Sequence, residues 1–367
     1  VLGDDPRHGS RVIEAFAATG IGSLPGTHPA EAAQIVAGEI GGLPHVAELP
    51  ARGPGADMVG RTAGMLAQVA EDFAVETTPV GWRFADAPGR AMRRAAQWLI
   101  EDLDCFEEHA PRRVVKQQIV GPWTMAAMIE MRNGERAVRD EGACRDIAGA
   151  LAEVAVGQVL QLRRRCPGAE VIIQVDEPML RTVLQGGVNT ASGLATYRAV
   201  DPQRARTALA AVVDAVHGVD ARVAVHCCAE EPPLEVMRGS GADLLSVDAL
   251  LRFDEDHLAE ALERGTTLML GVVGTAAFDV PGVAAVAEPA ARRVQRLLDR
   301  WGTAPERAGE RVILTPACGL AGSPPDWTRL VLRALAEAGR LLRDDGSTQS
   351  AGDRAGERAA DDAGGRT

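Results

Sequence analysis

The sequence predicts an α/β fold, a (β/α)8 TIM barrel, on three observations. Short β-branched runs recur along the chain. Longer Ala-, Arg- and Leu-rich segments with helical periodicity separate them, and reactive polar residues stand where the runs end. Strand and helix alternating at this pace imply parallel pairing. A chain of 367 residues lies within the range of one such barrel.

In chain order, strands are expected at 19–23, 43–48, 114–120, 171–176, 222–226, 243–248, 267–273 and 311–315. Their near-continuous apolar character suits a sheet covered on both faces. Between them, Asp201-Pro202 reads as an N-cap followed by proline at the first helical position. Leu209, Val212, Val213 and Val216 then form one apolar stripe, and Val294, Leu297, Leu298 and Trp301 repeat the spacing. Ser323-Pro324-Pro325-Asp326 resembles a capping box ahead of the stripe Leu330, Val331, Ala334 and Leu335.

Two regions depart from the repeat. Residues 49–112 are long for one crossover and contain Pro50-Ala51-Arg52-Gly53-Pro54-Gly55, so they are expected to add helices and a loop over the face where strands end. From 343 onward the chain is Gly, Asp, Ser, Arg and Ala with almost nothing apolar, which predicts a disordered tail. The expected organisation is a single barrel over 1–342, with the insertion around 49–112, and a tail over 343–367.

Charge and cysteine usage narrow the partners. With 39 Lys and Arg against 51 Asp and Glu, the net charge of −12 speaks against unspecific binding to nucleic acid or to an anionic membrane. No run of eighteen uncharged apolar residues is present, so no membrane span is expected. The first sixteen residues carry acids and lack a signal-peptide core, which makes a cytoplasmic location the expectation. Six cysteines without a CxxC pair fit neither a disulfide scaffold nor a zinc ribbon.

The chemistry gathers at the ends of the expected strands: Asp176-Glu177-Pro178, His226-Cys227-Cys228, Asp248, and Pro316-Ala317-Cys318-Gly319. In a barrel these positions meet at the C-terminal mouth. His226, Cys228 and Cys318 form a plausible zinc set, because His-x-Cys puts two side chains on one side of an extended segment. Asp248, ending the neighbouring strand, is the natural protein candidate for a fourth ligand, with water or substrate as alternatives. A lone cysteine or histidine here would ordinarily be a small buried hydrophobe or a satisfied core group, and it is the combination that favours a metal. Zinc bound by two thiolates is suited to holding another thiol as thiolate near neutral pH. That points to sulfur alkylation rather than metal-assisted hydrolysis.

Five stretches give the chain a more specific resemblance: Ile21-Gly22-Ser23-Leu24-Pro25, Glu48 with Asp57-Met58-Val59, Gly121-Pro122-Trp123-Thr124, Ile173-Gln174-Val175-Asp176-Glu177-Pro178, and His226-Cys227-Cys228 with Pro316-Ala317-Cys318-Gly319-Leu320. Together and in this order, over about residues 15–340, the chain resembles the catalytic C-terminal domain of cobalamin-independent methionine synthases. That domain belongs to the superfamily that also holds uroporphyrinogen decarboxylase. The resemblance implies transfer of a methyl group from a folate to the sulfur of homocysteine. It implies His226, Cys228 and Cys318 as zinc ligands, with Asp248 matching a family glutamate one methylene longer. It also implies Ser23 at the amino acid's carboxylate, and Glu48 and Asp176 as the active-site acids that hold its ammonium group. Gly81-Trp82-Arg83-Phe84 is what remains of the folate-contacting region, with Trp82 either stacking on a pterin or filling a lid. Glu177 either orders the site or binds backbone. Three other readings stay open: transfer from a corrinoid carrier to another thiol, a metal-free decarboxylase-like barrel, and a non-catalytic thiol- or amino-acid-binding protein.

Overall fold

Parallel strands covered by helices make up the core of the computed structural model, which describes residues 13–40, 42–69, 73–109, 113–276 and 282–364. Among these residues β1 (Val75–Thr78) and β2 (Gly81–Phe84) form an antiparallel hairpin. There follow β3 (Val114–Val120), β4 (Ile129–Glu130), β5 (Glu170–Asp176), β6 (Arg222–Cys227), β7 (Leu244–Asp248), β8 (Thr267–Val273) and β9 (Val312–Pro316). The central sheet has six parallel strands in the order β3-β5-β6-β7-β8-β9. The hairpin and β4 make a separate three-stranded sheet.

The last six expected strands are therefore regular strands, and the first two are not. Segments 19–23 and 43–48 contribute isolated parallel bridges: Ala18 with Leu314 of β9, Ser23 with Glu48, and His45 with Lys116 of β3. Backbone hydrogen bonds accompany them, among them Thr19 N–H to Leu314 O, Leu24 N–H to Glu48 O and Val46 N–H to Lys116 O. Gly20 and Gly22 weaken a ladder and Pro44 offers it no N–H, which accounts for bridges in place of strands.

The apolar runs do what their composition predicts. All seven residues of β3 and all seven of β8 are buried. One residue from each central strand (Val114, Ile172, Ala224, Leu244, Met269 and Ile313) joins Leu43 in a cluster of its own, inside the curl of the sheet. The other face packs under helices that include Glu141–Arg165, Pro202–His217 and Val283–Arg300. Asp201 caps the Pro202–His217 helix, its Oδ1 accepting from Arg204 N–H at 3.1 Å, and the stripe Leu209, Val212, Val213 and Val216 is buried. Ser323 is not a cap: its hydroxyl donates to Thr275 O at 2.5 Å, and the last helix begins at Pro325.

Two outer segments complete the picture. Residues 49–109 supply the helices Met58–Val69 and Arg90–His109 and the hairpin β1–β2. The final helix runs Pro325–Gly364, so the expected disordered tail is helical as far as Gly364, while 365–367 lie outside the described residues. Ala, Arg, Asp and Glu are compatible with helix, and among the residues whose side chains are described the last core residue of that helix is Leu342. Among the described residues no helix is long and apolar enough to cross a membrane.

Glu177 locks the turn that follows β5. It is fully buried, and its carboxylate accepts from Trp123 N–H at 2.9 Å, Thr124 N–H at 2.8 Å and the Thr124 hydroxyl at 2.8 Å. The end of β5 is thereby tied to the first turn of the Pro122–Met128 helix. Burial pushes the Glu177 carboxyl up to about 7, against the pull of those hydrogen bonds. A carboxyl raised on folding stabilises below its unfolded value and loses that contribution as pH rises through 7. Urea unfolding of wild type and Glu177→Gln should therefore diverge with pH. Wild type should lose about 2 kcal/mol relative to the variant between about pH 5 and about pH 8. Parallel pH profiles would show that Glu177 is not protonated on folding.

Candidate active site

The register of three neighbouring strands assembles the site. Asp176 of β5 stands beside His226 of β6, and His226 stands beside Ser246 of β7. All three are buried. His226 Nδ1 lies 2.9 Å from Ser246 Oγ, which leaves the buried Nε2 without a hydrogen-bond partner. A buried imidazole nitrogen left open in this way is an unmet polar group unless something ligates it.

Cys228 follows β6, and Cys318 arrives from the far end of β9. The approach of Cys318 depends on Gly271, where the β8–β9 register shifts: a Cβ there would sit 2.8 Å from Ala317 Cα. Gly319 leaves room for Ser23, whose Oγ would lie 2.1 Å from a Cβ at that position. The result is a Cys318–Cys228 Sγ–Sγ distance of 3.2 Å. The ligand atoms of His226, Cys228 and Cys318 all lie within 4.8 Å of one another. One imidazole and two sulfurs that converge with an unpartnered Nε2 fit a zinc ion in donor type and spacing.

Asp248 is not in that group. It sits two residues beyond Ser246 on β7, roughly 6–7 Å further along the strand. Its Oδ1 accepts from Leu250 N–H at 2.8 Å. Burial, with Cys318 nearby, holds its carboxyl above the ordinary aspartate range. Ser246, which the sequence does not single out, is the residue in contact with His226.

On the other side of Asp176 lies a buried polar network. Gln174 Nε2 donates to Asp176 Oδ1 at 2.7 Å and to Ile21 O at 2.8 Å, while its Oε1 accepts from Lys116 Nζ at 2.6 Å. Lys116 is completely buried and also donates to Ile21 O. Burial lowers the Lys116 ammonium to about 7, against the attraction of Asp176 and Glu48. Burial likewise raises Asp176 to about 6 and Glu48 to about 7. Glu48 pairs with Arg61 at 3.4 Å. Lys116 opens a buried polar triplet with Gln117 and Gln118 inside β3, and Gln174 is a single polar residue among the apolar ones of β5.

Of the expected site residues, the fold brings Ser23 and Glu48 together by their bridge, and gathers Asp176, His226, Cys228 and Cys318. Trp82 stands apart on the hairpin β1–β2. It is 6% exposed, and its Nε1 donates to Asp57 Oδ1 at 3.0 Å.

The model of the cobalamin-independent synthase catalytic domain matches residues 16–340. The chain belongs to this family. Among solved structures it is similar to a B12-independent methionine synthase from Shewanella sp. W3-18-1 in complex with selenomethionine. That likeness has a TM-score of 0.59 at 14% identity and covers 90% of this chain and 98% of that one, so the two share a fold. An oxaloacetate acetylhydrolase bound to 3,3-difluorooxalacetate is a more distant likeness, with a TM-score of 0.37, 13% identity, and coverage of 92% of this chain and 93% of that one. No curated protein matches the chain.

The two close sulfurs are hydrogen-bonded to each other. The hydrogen bond from Cys228, with His226 beside it, pulls the Cys318 thiol well down, and the same arrangement pushes Cys228 up. Cys227 is fully buried and is pushed up to about 12. In metal-free, reduced protein, iodoacetamide at about pH 6 should therefore label Cys318 first. Peptide mapping by mass spectrometry reads this directly. Faster labelling of the half-buried Cys105 would contradict the thiolate assignment.

Proposed function

We propose that this chain is a zinc-dependent S-methyltransferase that moves a methyl group from a folate or another carrier to the thiol of homocysteine or a similar small thiol. The observation that carries this reading is the convergence of His226, Cys228 and Cys318 within 4.8 Å at the strand ends of a member of the cobalamin-independent synthase family. In the same reading, the bridged segments around Ala18, Ser23 and His45 complete the six-stranded sheet as a barrel, and its mouth is the reaction site.

Bound to these residues, zinc would supply the Lewis acidity that lets an incoming thiol lose its proton near neutral pH. The protein's own part is orientation and charge. Ser246 fixes the His226 ring, so that Nε2 carries the lone pair that faces the sulfurs. Cys228 and Cys318 contribute thiolate charge, and Asp248 stands nearby as the fourth protein donor, directly or through a water. Glu48 and Asp176 receive the ammonium group of an acceptor that carries one, and Ser23 receives its carboxylate. Held at both ends, the acceptor presents its sulfur to the donor methyl group with little left to orient. Trp82 is buried and bound to Asp57, so it stacks on a donor ring only if the β1–β2 hairpin moves. With the hairpin as it stands, Trp82 is part of the wall.

Metal content tests this reading. Reduced wild-type protein should carry about one zinc per chain, and Cys318→Ala should lose it together with methyl transfer to homocysteine. Unchanged metal and unchanged methylation in Cys318→Ala would overturn the assignment, as would wild type purified without zinc and unable to take it up.

A further inference from the structure

Two carboxylates facing one ammonium make a strong clamp only if they are bare, and here Glu48 is already paired with a buried cation. Arg61, on the Met58–Val69 helix, is 3% exposed, and its one side-chain hydrogen bond among the described residues goes from Nη1 to Glu48 Oε1 at 3.4 Å. Its Nε also lies 4.0 Å from Asp102 Oδ2, but Asp102 does not depend on it. Arg52 grips Asp102 with Nη2 at 2.8 and 2.7 Å from the two carboxylate oxygens, and the Arg52 guanidinium lies 5.0 Å over the Trp98 ring. Arg61 therefore serves Glu48.

Asp176 meets Lys116 only through Gln174. The Lys116 ammonium fixes the Gln174 amide through Oε1, and the same amide donates from Nε2 to Asp176. An acceptor's ammonium group must give up its hydration to reach a Glu48 carboxylate that Arg61 already holds. The acceptor's thiol and carboxylate carry no such penalty.

We propose that Arg61, by holding Glu48, widens the acceptor class to small thiol carboxylic acids with or without an α-amino group. The inference rests on the reading of the site as a thiol acceptor. Arg61 is the specificity-determining residue. Truncating it frees Glu48 for an ammonium group while Arg52 keeps Asp102 paired.

Calorimetric titration of the zinc-loaded protein with homocysteine and with 4-mercaptobutanoate, its des-amino analogue, tests this without turnover. Wild type should bind the two thiols with dissociation constants within about fivefold of each other. Arg61→Met should raise the preference for homocysteine by about tenfold, through tighter binding of homocysteine alone. A wild-type preference for homocysteine beyond about fivefold overturns the inference, as does an unchanged ratio in a folded Arg61→Met protein. If the variant does not fold, the wild-type ratio decides. Binding of neither thiol removes the thiol-acceptor reading and this inference with it, whereas tight binding of homocysteine alone removes only the inference.

Discussion

Burial of charge at the ends of parallel strands is the constraint on which the rest of this structure depends. Lys116, Glu48, Asp176 and Glu177 are each 7% exposed or less. A desolvated ion is tolerable only where partners replace its water. Each of these residues accordingly has an assigned contact: Lys116 with Gln174 and Ile21 O, Glu48 with Arg61, Asp176 with Gln174, and Glu177 with the backbone of Trp123 and Thr124. These contacts join β3, β5, the segment before β3 and the Met58–Val69 helix. The polar interior of the mouth thus holds the fold together where the apolar core ends. Removing one partner would strand a charge, which costs more than the pair contributes.

The same constraint separates the site into two parts with different chemistry. Around His226 the polar demand is left open, because Ser246 meets only Nδ1 and leaves Nε2 to the two sulfurs. Around Asp176 and Glu48 the demand is met within the chain. An unmet set draws a ligand, while a met set admits one only by exchange. In the proposed reading the first arrangement would hold the metal, and the second would set selectivity by what it has already paired.

The sequence made much of this legible, and its failures have physical causes. Strands β3 and β5 to β9 announce themselves because both faces are covered and β-branched and other apolar residues dominate them. The segments around Ser23 and His45 look like strands by position, but glycines and a proline reduce them to bridges. His226, Cys228 and Cys318 are found because few other roles suit those residues at strand ends. Ser246 and Lys116 are hidden, since a serine or a lysine within a strand has no pattern of its own until the register shows what stands beside it. Asp248 stands at the end of β7 on the same face as Ser246, and the rise of the strand over two residues gives the contact with His226 to Ser246. The hairpin β1–β2 escapes notice because its four-residue strands are too short to show a period.

Arg61 comes from the least predictable part of the chain, the stretch between the Ser23–Glu48 bridge and β3, and it reaches Glu48 at the bridge itself. Trp82 comes from the same stretch and covers Gly60 so closely that a Cβ there would lie 2.3 Å from its ring. Asp57 joins the two, accepting from the Trp82 indole and from Gly60 N–H at the start of the helix that carries Arg61. The wall and the counter-ion are therefore mechanically one unit. A movement of the hairpin that uncovered Trp82 would pull on Asp57, and through it on the turn that aims Arg61 at Glu48. Access on the side of Trp82 and charge on the side of Glu48 are tied together by a single carboxylate, although the strands that bear the sulfurs take no part in that link.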